Sequence, residues 1–125
     1  MNLLLDSHVI IWCAQDNELL SAEAKKAIAD TNNDLFVSVA GICELYLKVK
    51  RGNLKLQVDL RQILDDAEYA ILDMTLDDAE LAAGLPYHHG DPFDRMMIAQ
   101  ALNKNLVFVS ADAIITNYNV PLLKA

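Results

Sequence analysis

"DPFDRMMIAQALNKNLVFVSAD", Asp91 to Asp112, carries a helical pattern, then a short wholly apolar run, then an acid. Asp91 followed by Pro92 reads as an N-cap and a first-turn proline, which satisfy or dispense with orphan backbone donors at a helix start. At about 100° per residue, Asp94 shares a face with Ile98 and Ala101, beside Leu102, on the side that reads as buried. A carboxylate on a buried face needs a partner. "LVFVS", Leu106 to Ser110, has no polar alternation and suits a strand covered on both faces. A helix feeding such a strand is part of the repeating unit of a parallel sheet.

The rest of the chain repeats that pattern. "NLLL" (Asn2 to Leu5), "LFVS" (Leu35 to Ser38), "YAIL" (Tyr69 to Leu72) and "VPLL" (Val120 to Leu123) are further apolar runs. Between them lie helical patterns: "SHVIIWCA" from Ser7, "SAEAKKAIAD" capped by Ser21, "VAGICELYLKVKR" after Ser38, "DLRQILDDA", "TLDDAELAAGL" capped by Thr75, and a short "AIITNY". This order predicts an α/β fold, a parallel sheet of about five strands with helices on both faces. Ligands of such sheets gather beyond the carboxyl ends of the strands.

With 125 residues, 54% of them hydrophobic, and no linker-like or repeated stretch, residues 1–125 are expected to form one domain. Asp6 and His8 interrupt the apolar N-terminus and no basic region precedes it, so neither a secretion signal nor a membrane span is expected, and the protein should be cytoplasmic. Cys13 and Cys43 lack metal-ligand spacing and fall within apolar helical patterns, which predicts buried free thiols. A net charge of −8 argues against non-specific coating of nucleic acid or an anionic membrane. It leaves a nucleic-acid enzyme open, because screening over roughly 8 Å lets a local patch with a metal override the total. The basic stretch "KVKRGNLK", Lys48 to Lys55, reads first as a solvated helix end with Gly52 as the stop.

Four acids from distant parts of the chain fall at one rim of this fold. Asp6 follows the first strand, Asp112 follows "LVFVS", Glu44 lies in the helix after the second strand, and Asp94 opens the helix leading into "LVFVS". Singly, each has an ordinary role, as a helix cap or, for Glu44, as the i,i+4 partner of Lys48. Together they repel, by roughly 4 kcal/mol for two carboxylates about 4 Å apart at an effective dielectric of 20. A divalent cation removes that conflict. An all-oxygen set without Cys/His spacing selects Mg2+ or Mn2+ over structural Zn2+.

"LLLDSHVIIW", "SVAGICELYLKVKRGNLKL", "LPYHHGDPFDRMMIAQAL" and "LVFVSAD" resemble, in order, the four acidic motifs of PIN domains, specifically the VapC-like toxins of type II toxin–antitoxin systems. The resemblance covers nearly the whole chain and is most specific at "HHGDPFDRMMIAQA". It implies a PIN-like fold and an Mg2+-dependent endoribonuclease toxin, with a small antitoxin partner and a homodimer. Asp6, Glu44, Asp94 and Asp112 correspond to the acidic cluster, Asp91 is an extra acid typical of this subgroup, and Ser110 resembles the residue that steadies the cluster. Cys43 stands where a Trp often precedes the Glu, and Gly90 and Ala113 stand where basic residues are common. That leaves Arg95, Lys48 and Arg51 as the phosphate partners for RNA. His8 lies one turn into an apolar helix and His88 and His89 sit in a loop, and none is assigned chemistry.

Two other readings remain at this point. A receiver or phosphatase domain also sets Mg2+ among carboxylates on a parallel sheet, but Asp6 lacks a following Asp-x-Asp acid and "LVFVSAD" lacks the receiver lysine. A PIN-like module that only binds a partner would not need all four acids. Phe93 and Met97 point away from Ile98 and Leu102, so they are exposed, covered by another helix or buried between subunits; the subunit contact is favoured.

Overall fold

The apolar runs form the sheet. In the computed structural model, which describes residues Met1–Ala125, strand β1 (Asn2–Leu5) is followed by helices α1 (Ser7–Gln15) and α2 (Ala22–Ala29). Strand β2 (Asp34–Ser38) leads into α3 (Val39–Lys50) and α4 (Leu60–Ala67), then β3 (Ala70–Leu72) into α5 (Leu76–Gly84) and α6 (Pro92–Lys104). Strand β4 (Val107–Ser110), a 3-10 helix (Ala113–Asn117) and β5 (Leu122–Lys124) complete the chain. All neighbouring strands are parallel, in the order β3-β2-β1-β4-β5. This is the α/β architecture read from the sequence.

Period-two alternation explains why central strands are apolar throughout. Leu3 and Leu5 of β1, Val37 of β2 and Val109 of β4 pack on one face with Val9 and Ile10 of α1 and others. Leu4 and Phe108 face the other way, onto Met97, Ile98 and Ala101 of α6. With both faces covered, Leu3, Leu4 and Leu5 are fully buried. The edge strands β3 and β5 are three residues each and partly exposed, short enough to offer little template for pairing with another chain.

Helix α6 is buried on more than one side, which corrects the expectation for Met97. A Cβ added at Gly41 of α3 would lie 3.0 Å from Met97 Sδ, so the missing side chain at Gly41 is what lets α3 close over α6. Met97 is fully buried within this one chain, and it is another helix that covers it; Phe93 is half-buried. The cysteine expectation also changes. Cys13 is half-buried, and Cys43 is exposed because α3 buries Ala40, Gly41, Glu44 and Leu45 and turns Cys43 to the opposite side. Burial raises the pKa of the Cys13 thiol, against a smaller opposing effect of its hydrogen bond with Tyr69.

Asp78 locks α5 to α6. Its carboxylate accepts from Asn103 Nδ2 of α6 at 2.8 Å and from the Thr75 backbone N–H at 3.1 Å, while Thr75 Oγ1 accepts from the Asp78 N–H. Burial opposes the charged form, yet these bonds and nearby Lys104 together hold its pKa below the ordinary value.

Met97→Ala is expected to cost about 2–5 kcal/mol in urea-induced unfolding and to leave the sedimentation behaviour of the protein unchanged. A shift toward monomer with little loss of stability would return Met97 to a subunit contact.

Candidate metal centre

Each acid reaches the rim through a local rule of chain geometry. Asp6 ends β1 and caps α1: Oδ1 accepts from the Ser7 N–H at 2.7 Å, and Oδ2 accepts from Ser110 Oγ at the end of β4, also at 2.7 Å. Ser38 caps α3, whose second turn carries Glu44 inward. Asp91 caps α6 by accepting from the Phe93 N–H at 2.9 Å, and Asp94 follows in the first turn. Asp112 caps the 3-10 helix by accepting from the Ile114 N–H at 3.0 Å.

The four acids divide into two overlapping groups. Carboxylate oxygens of Asp6, Glu44 and Asp94 lie within 4.8 Å of one another. Asp112 is instead grouped with Asp94 through His89, whose Nε2 is 2.7 Å from Asp112 Oδ2 and 2.8 Å from Asp94 Oδ2. Asp91 also lines the cleft, so its capping role does not remove it from the acidic surroundings. The cleft has a volume of about 460 Å3. That far exceeds the ~30 Å3 share of one water, so a hydrated ion and a phosphate fit together.

Burial is the largest effect on Asp94, and the charges of Asp6, Asp91 and Glu44 add to it; His89 opposes them, and the carboxyl pKa is pushed up to about 7. The donor set is therefore short of positive charge. Lys48 is the one lysine or arginine lining the cleft, with Nζ 3.6 Å from Glu44 Oε2 and 3.3 Å from His8 Nε2. Oxygen ligands, mutual repulsion and a single peripheral ammonium fit a hard divalent cation.

Two residues of this arrangement carried no assignment from sequence. Ser7 donates from Oγ to Glu44 Oε1 at 2.7 Å, joining α1 to α3 beneath the acids. Its only signal was its place directly after Asp6. His89 is the second, and its signal was weaker, an imidazole two residues before the helix cap.

Arg95 is a correction. Its guanidinium is buried and donates to the carbonyls of Ala82 and Leu85 at 2.8 and 2.9 Å and to those of Pro86 and His89 at 3.1 and 3.3 Å. It also stacks over Tyr87, 5.0 Å from the ring centroid. The end of α5, at Ala82 and Leu85, and the segment after it, at Pro86 and His89, leave carbonyls that Arg95 satisfies, so it is withdrawn from phosphate contact. Arg51 is exposed at the C-cap of α3 and does not line the cleft.

The sequence model of the PIN domain matches residues 3–120. The chain belongs to the PIN domain family. That membership removes the receiver and phosphatase alternatives. No curated protein matches the chain in sequence. Among solved structures, this PIN domain is similar to a chain of VapBC2 from Rickettsia felis bound to a promoter DNA fragment, at 17% identity and a TM-score of 0.73, covering 99% of this chain and 98% of that one. It is also similar to chains of DNA-bound VapBC from Salmonella typhimurium (15% identity, TM-score 0.67) and of VapBC-1 from nontypeable Haemophilus influenzae (19%, 0.63), each covering 99% of this chain and 98% of the other. At these identities the likeness is one of fold.

The raised pKa of Asp94 sets a pH dependence for the metal-free PIN domain. With a folded value of about 7 and an ordinary unfolded value, the native state binds the extra proton, so stability falls as pH rises through that interval. Metal-free protein should lose up to about 1.4 kcal/mol per pH unit between pH 5 and 7 in chemical unfolding. Asp94→Asn should flatten that slope; a slope unchanged in the variant would remove Asp94 as its source. Arg95→Lys, which cannot reach the same fork of carbonyls, should cost about 1–3 kcal/mol in the same measurement.

Proposed function

We propose that this PIN domain is a metal-dependent endoribonuclease, the toxin of a toxin–antitoxin pair, acting in the cytoplasm. The observation that carries the reading is the approach of the Asp6, Glu44 and Asp94 oxygens to within 4.8 Å in a cleft lined by a single lysine. These three acids hold Mg2+ or Mn2+, with Asp112 at the margin of the site. A bound ion of this kind lowers the pKa of water to make a nucleophile and stabilises charge developing on a phosphodiester during in-line displacement.

The chain's own residues supply orientation and entry. Ser7 and Ser110 fix the rotamers of Glu44 and Asp6 with hydroxyl donors, so the acids need not reorganise when a cation enters. Lys48 stands at the cleft beside Glu44 and contacts a phosphate oxygen of RNA, while Arg51 meets the strand farther out. Without Arg95 the positive surface is small, so RNA selection rests on shape more than on broad electrostatic attraction. The antitoxin partner is supported by the fold likeness to chains from VapBC assemblies, and a homodimer by the family resemblance. No helix is long and apolar enough to cross a membrane.

Structured RNA incubated with the protein and Mg2+ or Mn2+ should be cut at discrete positions, and EDTA should stop cutting. Asp6→Asn and Asp94→Asn should reduce the rate on the order of a hundred-fold or more while the fold is retained. Asp91→Asn should stay within a few-fold of the parent, because asparagine caps about as well as aspartate. Cutting that persists in EDTA or in Asp94→Asn would overturn the reading. A folded, metal-binding protein that cuts no RNA would favour a partner-binding module.

A further inference from the structure

We propose that His89 is a positioning residue that sets how many cations the cleft takes: its Nε2–H is donated to Asp112 with Asp94 alongside, so the ring occupies the space between the two acids and keeps an ion out of it. The inference rests on the metal-binding reading above and goes beyond it. By composition alone, His89, Asp94 and Asp112 form a trio of groups with ligand atoms within 4.8 Å, and an imidazole beside two carboxylates is an ordinary ligand set. The hydrogen bonds say otherwise.

His89 Nδ1 accepts the backbone N–H of Asp91 at 3.1 Å. A ring nitrogen that accepts carries no proton, so the neutral ring has its proton on Nε2. That proton is donated to Asp112 Oδ2, 2.7 Å from Nε2, and the same nitrogen stands 2.8 Å from Asp94 Oδ2. Ligation through Nε2 needs the other tautomer, with an N–H on Nδ1 aimed at the Asp91 N–H. A ligating histidine almost always donates from its second nitrogen, and here that nitrogen accepts.

The backbone that carries the ring is held as well. The His89 backbone N–H donates to Tyr118 Oη at 2.8 Å, and its carbonyl accepts from Arg95. The Asp91 N–H is fixed at the start of α6. His89 therefore fills the space between Asp94 and Asp112 as a donor, and leaves Asp94 to face Asp6 and Glu44 with its remaining capacity. One ion is held where three acids meet.

The test counts Mn2+ by calorimetry and reads ion pairs by electron paramagnetic resonance, using the full chain, His89→Ala and His89→Gln, each checked for fold by circular dichroism. The parent should bind one Mn2+ with the spectrum of an isolated ion. His89→Ala should bind a second, with spectral coupling between ions that share Asp94. His89→Gln restores an N–H donor at that reach and should return the count to one. A merely structural role would change stability without changing the count. One ion in all three proteins, or loss of the first ion in both variants, would overturn the proposal, the second result making the imidazole a ligand. A folded parent that binds no Mn2+ would overturn the proposal through its premise, the metal-binding reading itself.

Discussion

The repulsion among Asp6, Glu44 and Asp94 is the constraint around which this end of the molecule is built. Carboxylates this close in a partly buried cleft oppose one another by several kcal/mol at an effective dielectric of about 20. The parallel topology both creates the problem and moderates it. Because every strand runs the same way, the chain leaves the sheet at one edge, and each following helix begins there. Helix N-termini carry roughly half a positive charge and unpaired N–H groups. Asp6, Asp91 and Asp112 each accept one of those N–H groups as a cap, and Asp94 lies in a first turn. The capping reading and the site reading of these residues are therefore not rivals. One oxygen of each cap satisfies the backbone, while the second oxygen of Asp6 accepts from Ser110 Oγ and that of Asp112 from His89 Nε2.

A guanidinium lies one residue from Asp94 and is kept away from it. Arg95 turns to the end of α5 and the segment that follows it, where four carbonyls and the Tyr118 hydroxyl surround it. Tyr118 donates in turn to the Pro86 carbonyl and accepts from the backbone of His88 and His89. Arg95 and Tyr118 thus hold the segment between α5 and α6 in one conformation. That segment carries His89. The order of the loop and the geometry of the acids are parts of one hydrogen-bonded arrangement.

This explains what the sequence disclosed and what it hid. The sheet was legible because strands buried on both faces leave uninterrupted apolar runs, and the helix starts were legible because Ser21, Thr75 and Asp91 are good caps. The acids could be placed at one rim because that follows from strand direction alone. Met97 was misplaced because a helical wheel tells which residues share a face and not how many neighbours the helix has; α6 is covered by α3 as well as by the sheet. Cys43 was misread for the complementary reason, an apolar residue on the outer side of a helix. Arg95 and His89 depend on the path of the chain from Leu85 to Asp91, which no periodicity encodes. An arginine beside a predicted acidic cluster looks like a cation for phosphate until the unsatisfied carbonyls of α5 are seen.

The choice of partners for the acids also bears on what the cleft can do. A buried acid can be held by a cation or by neutral donors, and the two have different consequences. An arginine paired with Asp6 or Asp94 would orient the carboxylate and cancel its charge. Ser7, Ser110 and backbone N–H groups orient Asp6 and Glu44 while leaving their charge uncancelled. Lys48 offsets part of it from the edge, on a flexible stem that remains partly exposed. Burial first, and then this uncancelled charge, raises the pKa of Asp94: in the absence of a cation, the proton is the positive charge at hand. A site held by neutral donors keeps its geometry and its deficit of positive charge together, and it is that combination which suits a divalent ion in place of the proton that Asp94 gives up as the pH rises.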